Sequence, residues 1–337
     1  MSDLDKINIY VSENIGELLD KDAQMFEIFK KERLINRNKF LNMLIKGYYN
    51  DYVMENNSKL KEIKTVLLNH SIRDTNDAIS RDILRNVFLP DTSTRKNKHP
   101  IKLSLKPTNE TEGLILHILN DLGPDGYISQ YLYKMIASYS IKPINTREQI
   151  IFRDSFNLIE TAINSGQVIS FSSIWNKGFF HKVLPYRIVT SREEMFNYLL
   201  CSEINAESKK LEAKTYRINR MIQISPVFDS ISLNEEVQSI LDRMIKYGPQ
   251  YTITNNEEMC VKLSTDGLST FNKIYYGRPD YERVEKKKDG YYYYFRCSED
   301  QVFFYFRRFQ GNEAVVMYPE SLRIRMRDFH KDSFTCY

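Results

Sequence analysis

Glycine is scarce in this chain, 12 residues in 337, and none sits in a Walker loop or a G-x-G-x-x-G turn able to cradle a phosphate with backbone N–H groups. An H-E-x-x-H pair, a nucleophile elbow and a zinc-spaced Cys/His set are missing too. Asp328, His330 and Asp332 stand together, but without the further carboxylates that a nuclease centre would gather. No catalytic residue, metal or cofactor is therefore expected, and the chain reads as non-enzymatic. The four cysteines, Cys201, Cys260, Cys297 and Cys336, are widely separated with no C-x-x-C pair, which predicts reduced, structural thiols. No run of about 18 apolar residues occurs, and the opening MSDLDKINIYVSEN carries charges where a secretory signal needs an apolar stretch. A cytoplasmic protein without a membrane partner is expected.

What the chain has in quantity is aromatic surface: 19 Phe and 23 Tyr beside a single Trp. Lys plus Arg number 48 against 44 Asp plus Glu, a net charge of +4, so any site for an anionic partner must be a local patch. Rings combined with local cations favour binding over catalysis. At roughly 100 to 200 residues per domain, the length allows two or three domains.

Residues 6 to 14 alternate strictly, with Ile7, Ile9 and Val11 on one face and Lys6, Asn8, Tyr10 and Ser12 on the other, which predicts a half-buried strand. Helical spacing follows over about 15 to 33 and 36 to 54. The same order returns near residue 100: Ile101, Leu103 and Leu105 alternate with Lys102, Ser104 and Lys106. An offset of 94 superimposes the two strands and one of 92 superimposes Phe40, Met43 and Leu44 on Leu132, Met135 and Ile136, so the pattern is an internal repeat. In the second copy a helix over 110 to 122 ends at the 123–126 turn, and Ser129 is expected to cap the next. Residues 58 to 89 read as helical and 90 to 100 as an exposed basic linker.

One strand and two helices cannot bury their apolar face alone; two copies can pair their strands into a ribbon over four helices. This arrangement resembles the ribbon-helix-helix family, here with both halves in one chain. The resemblance implies a ribbon lying in the major groove of duplex DNA, its outward Lys6, Asn8, Tyr10, Lys102, Ser104 and Lys106 reading bases, with the helix starts at Asn36 and Ser129 near phosphates. A solvated ribbon kept soluble by its lysines is the alternative.

One amphipathic helix is expected over 147 to 165, and Ser165-Gly166 ends it. Short β-like runs separated by polar turns then fill 167 to 229, the pattern of a small barrel. Within it, HKVLPYRIV (181–189), NYLLC (197–201) and TYRINRMIQI (215–224) resemble the three signature strands of the WYL domain, an SH3-like barrel of bacterial regulators and CRISPR accessory proteins. The name-giving triad reads Asn197-Tyr198-Leu199, so its Trp is replaced. The resemblance implies a ligand site, often for single-stranded nucleic acid. Tyr186 and Tyr198 offer stacking faces, and His181, Arg187, Arg217 and Arg220 offer donors to phosphates. Arg217 and Arg220, three apart, face opposite sides of a regular strand and serve one site only if the chain turns near Asn219. For Tyr186 and Tyr216 core packing is the competing reading, for His181 a satisfied internal histidine. Trp175 packs at a strand end or serves as a base platform.

After a helix over 234 to 247, strands at YTIT, EMCVKLS and GYYYYFRCS, a helix over 301 to 309, the strand VVMYP and a helix over 321 to 328 give a mixed region. It is similar to the C-terminal extension that often follows a WYL domain, for which the likeness implies dimerisation. Arg307, Arg308, Arg323, Arg325 and Arg327 could track a phosphate backbone, or pair with Glu320, Asp328 and Asp332 on a solvated face.

The expected fold is thus multidomain α+β: residues 1–146 ribbon-helix-helix-like with a helical insert at 55–100, a linker helix at 147–165, a WYL domain at 166–230, and an α+β extension at 231–337. The whole resembles accessory proteins of type VI-D CRISPR systems. That resemblance implies a homodimeric regulator binding single-stranded RNA, or DNA, and enhancing an RNA-guided CRISPR ribonuclease. The competing reading is a ligand-responsive transcriptional regulator whose ribbon reads duplex DNA.

Overall fold

The computed structural model describes residues 6–70, 76–89, 100–122, 126–253 and 257–335. The chain has a mixed α+β architecture and divides into two compact units, Met1–Phe156 and Asn157–Tyr337. The first contains β1 (Ile7–Val11), α1 (Glu13–Met25), α2 (Arg37–Asn69), α3 (Asn76–Ile83) with a π-helical turn at Leu84–Phe88, β2 (Ile101–Leu105), α4 (Asn109–Leu122), α5 (Ile128–Ser140) and α6 (Ile144–Ile151). Helix α7 (Arg153–Ser165) spans the division.

β1 and β2 pair antiparallel, Ile7 opposite Leu105, Ile9 opposite Leu103 and Val11 opposite Ile101. The offset of 94 thus maps each strand onto its partner, about the Ile9–Leu103 pair. Ile9, Val11, Leu103 and Leu105 are buried, with β1 against α5 and β2 against α2. Asn8, Tyr10, Lys102 and Ser104 form the outer face, where the Ser104 hydroxyl donates to Asn8 Oδ1 at 3.2 Å. Asn36 caps α2 by accepting from the Lys39 N–H at 3.1 Å. Asn42, buried farther along the same helix, donates to the Asn38 and Lys106 carbonyls and accepts from the Thr108 N–H, so it ties α2 to the end of β2.

Several sequence expectations are corrected here. Ser129 is not a cap: α5 starts after Tyr127 and has no side-chain cap, leaving Ser129 within its first turn. Helix α2 does not stop near 54 but runs to Asn69, because polar Asn56, Asn57 and Ser58 lie on a solvated stretch of helix without interrupting it. The single helix at 147–165 is two, α6 and α7, separated at Phe152, whose ring meets Phe26 edge-on at 6.0 Å. Where α2 passes α6, a Cβ on Gly47 would lie 1.8 Å from the Ile150 carbonyl oxygen, so only glycine permits that approach. The basic linker, apart from Pro100, and the turn at 123–125 lie outside the described residues.

The first unit also buries charge. Asp22, 0% exposed, accepts from Arg147 Nε at 2.7 Å and Nη2 at 2.8 Å, and from the Tyr139 hydroxyl at 2.8 Å. Burial and the neighbouring carboxylate hold the Tyr139 hydroxyl well above its ordinary pKa. The carboxylate is compensated by three donors, which a buried ion needs.

In the second unit β3 (Ile169–Ser173), β4 (Asn176–Thr190), β5 (Asn197–Ile204), β6 (Leu211–Arg217) and β7 (Met221–Pro226) form an antiparallel sheet in the order β6-β5-β4-β3-β7. Where a small barrel is expected, the strands form this five-stranded sheet, which is not closed by hydrogen bonds. No ladder joins β6 to β7 among the described residues, although a 3-10 turn at Ile218–Arg220 takes the chain directly from one edge strand to the other. After α8 (Glu235–Tyr247) come β8 (Met259–Leu263), α9 (Thr265–Lys273), β9 (Arg283–Lys287), β10 (Gly290–Phe295), α10 (Glu299–Phe306), β11 (Ala314–Tyr318) and α11 (Glu320–Thr335), with sheet order β11-β8-β10-β9. Residues 251–253 are not a strand, contrary to expectation. Leu200 and Ala213 share one hydrophobic cluster with Leu241, Met244, Phe271, Phe295 and Phe306, so the two sheets are welded through α8 and α10. Each buried Leu, Met or Phe side chain among these contributes about 1.5–3 kcal/mol. No helix among the described residues is long and apolar enough to cross a membrane.

Candidate nucleic-acid interface

Two short connections build a cleft beside β5 and β6. The 3-10 turn buries Ile218 and Asn219 and carries the chain around between Arg217 and Arg220. The Arg220 carbonyl accepts from the Ile174 N–H at 3.0 Å, and the Ser173 hydroxyl accepts from the Trp175 N–H at 3.3 Å, which fixes the β3–β4 turn beside it. The result is an open cleft of about 480 Å³ whose lining includes Trp175, Glu194, Tyr198, Arg217, Arg220 and Gln250. The condition set by the spacing of the two arginines is met: the chain turns at Asn219 and both side chains reach one site.

Arg217 pairs with Tyr198 across the ladder, and its guanidinium carbon lies 3.2 Å from the Phe196 ring centroid. The Tyr198 hydroxyl donates to the Glu194 carboxylate. Burial, then that carboxylate, pushes the Tyr198 pKa upward. Tyr198 is only 7% exposed, so it is a wall of the cleft with no open stacking face. The exposed ring is Trp175, at 65%.

His181, Tyr186 and Arg187 do not line this cleft. His181 stacks on Phe171 at 5.1 Å and its Nδ1 lies 2.9 Å from Glu203 and 3.0 Å from the Tyr216 hydroxyl, a half-buried cluster that occupies this nitrogen. Tyr186 donates to Asp242 of α8 at 2.8 Å and packs against the unit's core. Arg187 is exposed on β4, next to the register shift after Pro185.

The C-terminal arginines separate into groups. Arg307 and Arg325 gather on one aromatic patch, Arg307 at 4.8 Å from Phe304 and Arg325 at 4.0 Å from Phe303; Arg325 also pairs with Asp300 at 2.6 Å. Arg323 pairs with Glu320 at 3.0 Å and Arg327 with Asp328 at 3.0 Å, as the solvated-face reading expects. Arg308 instead donates to the Tyr305 and Tyr276 carbonyls. On the ribbon, Lys6, Asn8, Tyr10, Lys102 and Lys106 are exposed and Ser104 is half-buried. Glu194 and Gln250 were not foreseen as parts of the cleft, nor Phe196 as the buried ring against which Arg217 lies. Phe196 and Glu194 precede the Asn197-Tyr198-Leu199 triad and were findable; Gln250 comes from the turn that follows α8, which spacing could not reveal. Among the described residues no group of His, Cys, Asp and Glu is arranged to hold a metal.

No protein-family model matches the chain, and no curated protein matches it. Among solved structures, one described as a CRISPR Cas-related protein is similar over 99% of this chain and 94% of its own, at 20% identity and a TM-score of 0.66. The two share a fold. Proteasome accessory factor B/C (PafBC) of Arthrobacter aurescens aligns with 70% of this chain and 37% of its own at 15% identity, but its TM-score of 0.26 is too low to argue from.

Proposed function

We propose that the protein is a non-enzymatic regulator that binds single-stranded RNA in the cleft formed by Trp175, Tyr198, Arg217 and Arg220, and that it acts as an accessory of an RNA-targeting CRISPR effector. In this reading the open sheet of β3 to β7 is a WYL domain of SH3-like type, the paired repeat is a ribbon-helix-helix region, and the C-terminal elements hold two copies together as a homodimer. The observation that carries the reading is the turn at Ile218–Arg220, which delivers two guanidinium groups to one cleft beside an exposed indole. Guanidinium forks match phosphate oxygens, and an exposed ring stacks on any base. An unpaired strand offers both at once, whereas a duplex hides its base faces. The fold shared with a CRISPR Cas-related protein supports the association with CRISPR.

A second reading has its own observation. The ribbon's outer face, with Asn8, Tyr10, Lys102 and Ser104 around a pseudo-twofold, suits a duplex-reading transcriptional regulator. Competition separates the two. With labelled single-stranded RNA and a duplex library at ~150 mM salt, the first reading expects tight RNA binding with a log–log salt slope of about 0.7 per phosphate contact. A specific duplex footprint without RNA binding would replace it with the second.

A further inference from the structure

A second cleft, of about 470 Å³, adjoins the first. Gln250 lines both, and the tight β4–β5 connection sends Arg192 and Glu193 into the second and Glu194 into the first. That connection is rigid: the Ser191 N–H donates to the Phe196 carbonyl at 2.8 Å and the Met195 N–H to the Ser191 carbonyl at 2.9 Å. Gln250 is equally fixed, since the carbonyl of Pro249 before it accepts from the Thr215 hydroxyl at 2.5 Å. The two clefts therefore share a built ridge.

On the far side of that ridge lie Tyr275 and Tyr276, each 71% exposed, followed by Gly277 with φ +70°. Two adjacent rings left in water are uncommon where a core could take them, and this core is already closed by Phe271, Tyr293 and Tyr305. Cations flank them. Arg278 lies over Tyr275 at 4.5 Å and donates to the Phe271 carbonyl at 3.2 Å; Arg308 donates to the Tyr276 carbonyl at 3.1 Å. Backbone carbonyls orient these guanidinium groups without cancelling their charge.

We infer that the Tyr275-Tyr276 cleft is a second subsite for the same single strand, which would run from Trp175 across Gln250 and stack further bases on Tyr275 and Tyr276 while Arg192 and Arg278 meet its phosphates. This rests on the reading of the first cleft as a single-strand site. Glu193 and Asp280 also line the subsite and oppose a polyanion. Burial raises the Glu193 carboxyl above its ordinary pKa.

The test is fluorescence anisotropy of the full chain with labelled RNA single strands of about 4 and about 12 nucleotides, lengths that bracket one subsite and two. Tyr275→Ala/Tyr276→Ala is expected to weaken the longer strand by about tenfold or more and the shorter by less than about threefold, given the usual cost of losing stacked bases. Tyr275→Phe/Tyr276→Phe is expected to bind both lengths as the parent does. An unchanged affinity for the longer strand in the double alanine variant, with Arg217→Ala still weakening it, would overturn the second subsite and leave the first standing. Equal losses at both lengths would overturn it as well. Failure of the parent protein to bind either strand would remove both.

Discussion

Arg147 in the first unit and Arg217 in the second are both arginines placed beside aromatic residues, yet their surroundings differ in kind. Arg147 is folded inward, bonded to a fully buried Asp22 next to the Tyr139 ring. Arg217 lies on Phe196 at the wall of an open cleft. The difference separates two uses of a cation. A charge spent on a buried carboxylate specifies packing, while one laid on a ring keeps part of its field for a partner. By that criterion the second unit is the better candidate for binding.

The strongest way to break the comparison is to remove each arginine. Arg147→Met strands the Asp22 carboxylate and is expected to cost about 3–5 kcal/mol of stability, read from urea unfolding. The Arg217→Ala change, at a wetter site, is expected to cost far less stability. If the two losses were equal, the inward and outward assignments would not hold. Gly47→Ala belongs with the large effects, because the new Cβ meets the Ile150 carbonyl and α2 must part from α6; a loss of about 1–3 kcal/mol is expected.

A smaller effect concerns pH. Glu193 is faced by Glu194 and Arg308, with Gln250 and Gln301 as hydrogen-bonding neighbours, and its folded pKa is raised chiefly by burial. As pH falls through that raised value the carboxyl gains its proton and stops repelling phosphates, so RNA affinity is expected to rise. Glu193→Gln should flatten this part of the profile; an unaltered profile would show that Glu193 does not face the strand. The smallest expected effect is at Arg323, whose exposed pair with Glu320 contributes about 0–1 kcal/mol. Arg323→Ala should leave both melting and RNA binding nearly unchanged.

Much of the molecule was legible where side-chain period alone decides. The alternation of Ile7, Ile9 and Val11 with Asn8 and Tyr10 named the ribbon and both its faces, and the 94-residue offset identified the second strand, while the register itself was not read from the sequence. Asn36 was readable as a cap, since a short amide before an apolar stripe has one obvious use. Ser129 shows the limit of that rule: a short polar residue at the second position of a helix looks like a cap in one dimension. Helix α9 was missed because Gly267 looks like a breaker, although it is there to let the Glu313 backbone come close. Strand β9 was missed because four of the five residues of RVEKK are charged, as an edge strand can be. In the cleft, Tyr198, Arg217 and Arg220 were identified from local sequence, but the exposure of Trp175, in the turn between β3 and β4, against the burial of Tyr198 on β5 depends on tertiary packing. Tyr186 and His181 were placed in the site by their chemistry and withdrawn from it by Asp242 and Glu203, partners 56 and 22 residues away.

The most direct test compares RNA affinity across three variants at one salt concentration: Arg217→Ala/Arg220→Ala, Trp175→Ala and Lys102→Ala. The account predicts large losses for the first two, about tenfold or more each, a salt slope lowered by about 0.7 for each phosphate contact removed, and near-parental binding for Lys102→Ala. Equal, modest losses in all three would contradict it, because they would mean that RNA is held by diffuse charge and that the cleft has no special part.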